Sequence, residues 1–319
     1  MLHARAFRVT VVWTLALLYL GSVVHATESS LACPDWPTCF GTMVPEMTGG
    51  VFWEHLHRLV AGGLLLMFGL ATWLAHKETP DRPWIFRACL AGLGLLLVQS
   101  VLGGVTVLYR LPDAVSTSHL GLAFLFLALA TVLASSTGRK SREGSLFAGD
   151  AGGWGGADRL RPAQGRRVAA ALCAGLVFVQ SVLGGLVRHT DAGLACPDAP
   201  LCLGQWVPPL VNTPITLHFL HRVLALVVTV SVLGTAAWAL RVGAPAGLRR
   251  WIVAAAALVV LQVALGFASV LTTLAVIPVS LHTLVAATLL AVLTHVATAA
   301  DRSVRRERRP EPTAVAAAR

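Results

Sequence analysis

The amino-acid sequence predicts an all-α membrane protein. Eight transmembrane helices are expected as two tandem four-helix bundles related by a pseudo-twofold axis, with both termini cytoplasmic. Three observations carry this expectation. Of 319 residues, 56% are hydrophobic and 13% charged, about half the charge of an ordinary soluble domain. Eight apolar runs approach or exceed the roughly 20 residues that a bilayer demands. A segment near the start also recurs in mid-chain at an offset of 163 (183 − 20 = 163).

In chain order the runs cover 8–27, 51–75, 84–108, 114–135, 167–188, 214–240, 249–273 and 278–299. The first could be read as a secretory signal, since Arg5 and Arg8 precede it and Val24-His25-Ala26 resembles a cleavage site. The mid-chain copy argues against that, because no signal can lie there. The formal charge of +10 would point to nucleic acid in a soluble protein. Here position accounts for it. With the N-terminus inside, most of the 25 Lys and Arg fall in cytoplasmic segments, among them Lys77, Arg82 and Arg87, Arg139, Lys140 and Arg142, Arg249 and Arg250, and the tail from Arg302. The lipid bilayer is therefore the expected partner, and nucleic acid is not.

Residues 20–45 and 183–208 are identical at 14 of 26 positions. The same offset maps His119 onto His282, and one inserted residue brings His57 onto His221 (221 − 57 = 164). The chain thus divides into a first half over 1–137, a charged, glycine-rich cytosolic linker over 138–166, a second half over 167–301 and a basic tail over 302–319. A finer repeat places Leu-Gly at Gly21, Gly103, Gly184 and Gly266, and VQSVLGG occurs at both 98–104 and 179–185. These small residues suit either close helix packing or close approach to a flat cofactor.

His57, His119, His221 and His282 each lie about a turn inside an even-numbered helix, near its outer end. Histidine inside a bilayer is expensive, so four at one depth ask for a reason. Two imidazoles from different helices can clamp one metal from opposite faces, and an apolar, planar haem suits such a bundle. Zinc fits less well, because neither half offers four His or Cys ligands at one level. A proton relay also remains open. The other histidines carry less. His76 and His295 are expected to be solvated or interfacial, and His55 to face away from His57.

Arg58, Arg110, Arg188 and Arg222 sit on the outer side, against the charge trend. They are candidate partners for haem propionates, or they snorkel to the interface. The halves differ at Glu54-x-x-His57-Arg58 and His218-x-x-His221-Arg222, where i, i+3 spacing puts each pair on one helix face. Glu54 could act on a substrate or simply pair with Arg58. Cys33 and Cys39, and Cys196 and Cys202, form two C-x5-C pairs in outer loops, where disulfides Cys33–Cys39 and Cys196–Cys202 are plausible as staples or as a redox pair. Cys89 and Cys173 are expected as packing inside helices.

Together these features resemble the haem A synthase family over nearly the whole chain. The resemblance implies oxidation of the C8 methyl of haem O to a formyl group, with water as oxygen source, giving haem A for cytochrome oxidase. It implies His57 and His119 as iron ligands of substrate haem O, Glu54 as the catalytic carboxylate, and His221 and His282 as ligands of a haem B cofactor. Cys33 and Cys39 match the family's first-loop pair, and Cys196 and Cys202 a pair found in many bacterial members. A haem O synthase, an unidentified electron acceptor and a second copy of the chain are the expected partners. A di-haem electron-transfer protein and a parallel-repeat transporter are the rival classes.

Overall fold

The computed structural model describes residues 2–137 and 156–307. The expected positive charges at Arg139, Lys140 and Arg142, most of the linker and the end of the tail lie outside these residues. The described chain is helical, and its β-pairing is confined to isolated bridges. The eight helices are α1 (Leu2–Ala26), α2 (Gly49–Glu78), α3 (Pro83–Leu108), α4 (Asp113–Ser136), α5 (Gly156–His189), α6 (Thr213–Arg241), α7 (Ala246–Leu271) and α8 (Val276–Glu307). All eight contain stretches long and apolar enough to cross a membrane.

Local chemistry sets the boundaries. Pro83 and Pro214 occupy first turns, where a missing N–H loses no hydrogen bond. Asn212 caps α6 by accepting from Ile215 N at 2.9 Å. Helices α3 and α7 end alike. Arg110 and Leu111, and Thr273 and Leu274, turn left-handed, and Leu111 N and Leu274 N return to Thr106 O and Ser269 O at 2.7 and 2.8 Å. Helix α5 begins at Gly156, inside the stretch expected as linker. Leu, Gln, Ala and Arg are helix formers, so the apolar span is extended by a more polar lead-in.

Helices α1 to α4 touch in a closed ring: α1 on α2, α2 on α3, α3 on α4 and α4 on α1. Helices α5 to α8 do the same, and α1–α8, α4–α5 and α4–α8 join the two groups. One core cluster gathers Phe7, Phe68, Cys89, Phe126 and Leu133 within the first group. Another runs from Leu18 and Phe124 across to Val177, Val232, Val259 and Leu290. Large apolar residues such as Leu66 (77% exposed) and Val12 (67% exposed) point outward. In lipid those residues lose nothing by exposure, so the helices are held by close packing and polar contacts rather than by the hydrophobic effect. Buried Thr10 and Thr14 satisfy their hydroxyls on carbonyls one turn back, Ala6 O and Thr10 O.

The two cysteine segments fold identically. Both disulfides, Cys33–Cys39 and Cys196–Cys202, are formed. A single aspartate organises each turn. Asp35 accepts from Thr38 Oγ1 and from the backbone N–H of Phe40 and Gly41 at 2.6 and 2.9 Å. Asp198 accepts from Leu203 and Gly204 N–H, each at 2.7 Å. Gly41 and Gly204 have φ near +73° and +74°, which a side chain would strain. The Gly204 N–H bond, joined by that of Leu203, holds the Asp198 carboxyl below its ordinary range, and Thr38 followed by Gly41 does so for Asp35.

A carboxyl depressed on folding supports the turn above its unfolded pKa of roughly 3.9, and that support is lost as pH falls through the folded value. Hydrogen-exchange protection at Leu203 and Gly204 is therefore expected to hold at pH 5 and to decay below about pH 4. Asp198→Ala should remove it at all pH values; an unchanged exchange profile would show that the disulfide alone sets the turn.

Candidate functional site

The four histidines share one structural device. Each imidazole lies against the glycine of a neighbouring odd-numbered helix. A Cβ built on Gly21 would meet His57 Cε1 at 3.1 Å, on Gly103 His119 at 3.3 Å, on Gly184 His221 at 2.8 Å, and on Gly266 His282 at 3.1 Å. The glycine repeat thus makes room for the imidazoles themselves. His57 lies within electrostatic reach of His119, and His221 of His282. All four residues are half-buried. Nδ1 of His57, His119 and His282 is buried without a hydrogen-bond partner. Neutral imidazoles in apolar surroundings are a donor set that haem iron accepts.

Glu54 is 4% exposed and turned toward the first cysteine turn. It accepts from Cys33 N at 2.8 Å and from Arg58 at 2.6 Å. Arg58 also donates to the carbonyls of Asp35 and Thr38 at 2.7 and 2.6 Å. Arg222 repeats this pattern on Asp198 O, Leu201 O and Cys196 O at 2.8, 2.5 and 2.6 Å. Both guanidinium forks thus thread the cysteine turns and anchor them to the histidine helices. His218 stands where Glu54 stands, with Nδ1 3.0 Å from Ala192 O and 3.4 Å from Cys196 N. Arg188 reaches His25 O at 3.5 Å and lies 3.9 Å from Glu28 and from Asp191. Arg110 is exposed in the turn that ends α3.

Several side chains differ from their sequence reading. His55, expected to carry little, is 2% exposed, and its Nε2 lies 3.1 Å from Met43 O. Its ligand atom and the Cys33 and Cys39 sulfurs lie within 4.8 Å of one another, the sulfurs being joined as a disulfide. Its counterpart is Phe219, so the repeat gave no signal for it. His295 is half-buried, and Ser135 Oγ lies 2.8 Å from its Nδ1, linking α4 to α8. The rings of His25 and His189 meet at 5.2 Å between α1 and α5. Trp36 packs on Gly104, where a Cβ would come within 2.7 Å of it. The corresponding pair in the second half is Ala199 and Phe267, with the bulk exchanged between turn and helix. Gln99, Gln180 and Gln262 contact the histidines, although only the VQS repeat announced two of them.

Filling the glycine positions should test the device. Gly184→Ala, at 2.8 Å from His221, is expected to lower stability by about 1–3 kcal/mol, the usual range for overpacking. Gly103→Ala, at 3.3 Å, should lose less, and Gly94→Ala, with nothing within 4 Å, should lose nothing to a clash. Thermal unfolding in detergent checks that order; equal shifts for all three would disprove it.

Comparison with known proteins places this architecture. Residues 46–294 match the family model described as cytochrome oxidase assembly protein. The chain is 31% identical to the heme A synthase of Halalkalibacterium halodurans over 232 residues, covering 70% of this chain and 72% of that one. It is 30% identical to the heme A synthase of Symbiobacterium thermophilum over 274 residues, covering 83% and 84%. It is 29% identical to that of Shewanella oneidensis over 304 residues, covering 82% and 86%. With eight apolar helices, four glycine-backed imidazoles and a family match spanning most of its length, the chain belongs to the haem A synthase family of cytochrome oxidase assembly proteins.

Proposed function

We propose that this protein is a haem A synthase, oxidising the C8 methyl of haem O to a formyl group with water as oxygen source, and so providing haem A for cytochrome oxidase. The observation that carries the reading is the fourfold recurrence of an imidazole seated on glycine, in a chain similar over most of its length to relatives called heme A synthases. His57 and His119 are assigned to the iron of substrate haem O, and His221 and His282 to the iron of a resident haem B. With Nδ1 buried in His57 and His119, Nε2 is the nitrogen left for iron. A bound haem supplies one-electron chemistry that side chains lack.

The chain's own residues orient and protect. The arginine forks fix the cysteine turns against the histidine helices, and Trp36 closes the first turn onto α3. Glu54 is the acidic difference between otherwise matching frames. It is assigned to stabilise positive charge developing on the substrate or to take a proton from water, with Arg58 and Cys33 N–H holding the carboxyl group in place. Arg110 and Arg188 remain the propionate partners we favour, because Arg58 and Arg222 are committed to the turns. The two closed rings of helices are assigned as the tandem halves, and a pseudo-twofold axis along the membrane normal is the proposed relation between them; the separate ring of contacts in each group supports the assignment.

By the positive-inside rule both termini face the cytoplasm, and the disulfide turns face the oxidising outer side of the cell membrane. A haem O synthase, an external electron acceptor and a second copy of the chain are the proposed partners. Co-expression with a haem O synthase, followed by chromatography of extracted haems, tests the reading. Wild type should yield haem A. Glu54→Ala should lower it about a hundredfold or more, as for a lost acid–base group, while the low-spin haem B spectrum persists. Normal haem A from Glu54→Ala would remove the carboxylate from the chemistry. Unaltered haem O from wild type would leave a di-haem electron-transfer protein.

A further inference from the structure

Four residues before the histidine-facing glycine, three odd-numbered helices carry glutamine: Gln99 before Gly103, Gln180 before Gly184 and Gln262 before Gly266. Helix α1 breaks the series, with Leu17 before Gly21. Each glutamine reaches the histidine that its glycine accommodates. Gln99 Nε2 donates to His119 O at 2.7 Å. Gln180 Nε2 donates to His221 O at 2.9 Å and lies 3.0 Å from its Nδ1. Gln262 Nε2 lies 3.1 Å from His282 Nε2. Leu17 has no polar atom to offer and packs against the first-group core.

The unpaired atoms on the two sides are complementary. Oε1 of Gln99, Gln180 and Gln262 is buried without a partner, as is Nδ1 of His119 and His282. Leaving either kind of atom buried and unpaired is costly. A ligating imidazole carries its proton on the nitrogen away from the metal, and an acceptor on that N–H fixes the ring and raises its basicity. A carboxamide presents an acceptor and a donor in one plane; with the amide turned so that Oε1, rather than the amide nitrogen now beside His221 Nδ1 and His282 Nε2, meets the ring N–H, one side chain can hold the ring of its histidine.

We propose that Gln99, Gln180 and Gln262 are positioning residues for His119, His221 and His282, and that Leu17 leaves His57 as the one unlatched histidine, the side from which the porphyrin exchanges. The proposal rests on the reading of these four histidines as haem ligands. It separates a firmly held site on α6 and α8, with two latches, from a site on α2 and α4 with one. A cofactor must stay and a substrate must leave, and this distribution of glutamines provides for both.

The test uses the full-length holoprotein, purified in detergent from cells co-expressing a haem O synthase. The readouts are the low-spin electron paramagnetic resonance signal and the rate at which carbon monoxide displaces histidine from ferrous haem. Gln180→Leu and Gln262→Leu are expected to shift the second-half signal and to speed displacement there about tenfold or more, the scale of losing an outer partner of a metal ligand. Leu17→Gln is expected to slow displacement in the first half. That variant introduces a residue three sister helices already accommodate, so it carries the test should the leucine variants fold poorly. Wild-type signals and rates in all three variants, or a lowered melting temperature with unchanged spectrum and kinetics, would overturn the proposal and leave the glutamines as helix–helix contacts. The His221→Ala, His282→Ala double variant separates the two levels. If it keeps the full low-spin spectrum, haem ligation itself fails. If it loses that spectrum while the glutamine variants stay silent, only the latch fails.

Discussion

Every other feature of this fold depends on fitting an imidazole between two helices in an apolar interior. A histidine ring is too large for an ordinary helix–helix contact and too polar to face lipid. The chain resolves both problems by removing a side chain from the facing helix. Gly21, Gly103, Gly184 and Gly266 do this at the same place relative to the histidine each time. The spacing of odd to even helices follows from that contact, and the helix rings close around it. Since lipid offers no hydrophobic drive for helices to associate, close contact of this kind and its polar accompaniments are what hold the bundle.

The cysteine turns are the second structural commitment, and they are tied to the first. Arg58 and Arg222 directly follow His57 and His221, so each turn is fastened to the helix that presents a histidine. The aspartate, the disulfide and the arginine carbonyl contacts recur in both halves at matching positions. Against that constant frame the differences stand out. Glu54 corresponds to His218, His55 to Phe219, Trp36 on Gly104 to Ala199 with Phe267, and Leu17 to Gln180. All four changes fall within or beside the first site. A duplicated scaffold that differs at these positions is suited to keeping one occupant and processing another.

Much of this was legible beforehand. Apolar length gave all eight helices to within a few residues, apart from the longer polar extensions of α1, α5 and α8, where helix propensity carries the chain past the apolar stretch. The repeat singled out the four histidines because they recur. It passed over His55, which does not recur, and over the glutamines, whose recurrence was visible but whose partner lies on another helix. Charge and position make Arg58 and Arg222 candidates for pairing with anions or for snorkelling to the interface; apart from the Arg58–Glu54 ion pair, their hydrogen bonds go to backbone carbonyls. A guanidinium next to a tight turn finds unpaired carbonyls close at hand, and sequence does not show which carbonyls a turn leaves free.

The sequence by itself determined the number of helices, the internal repeat and the recurrence of four histidines within it, because hydropathy and internal identity are one-dimensional properties. Only the tertiary structure decided what each glycine accommodates, where each arginine donates and which histidine lacks a glutamine. Those are matters of contact between residues 16 to 41 positions apart, set by rotation about the helix axis. Composition does not encode that rotation; the fit of an imidazole against a missing Cβ does.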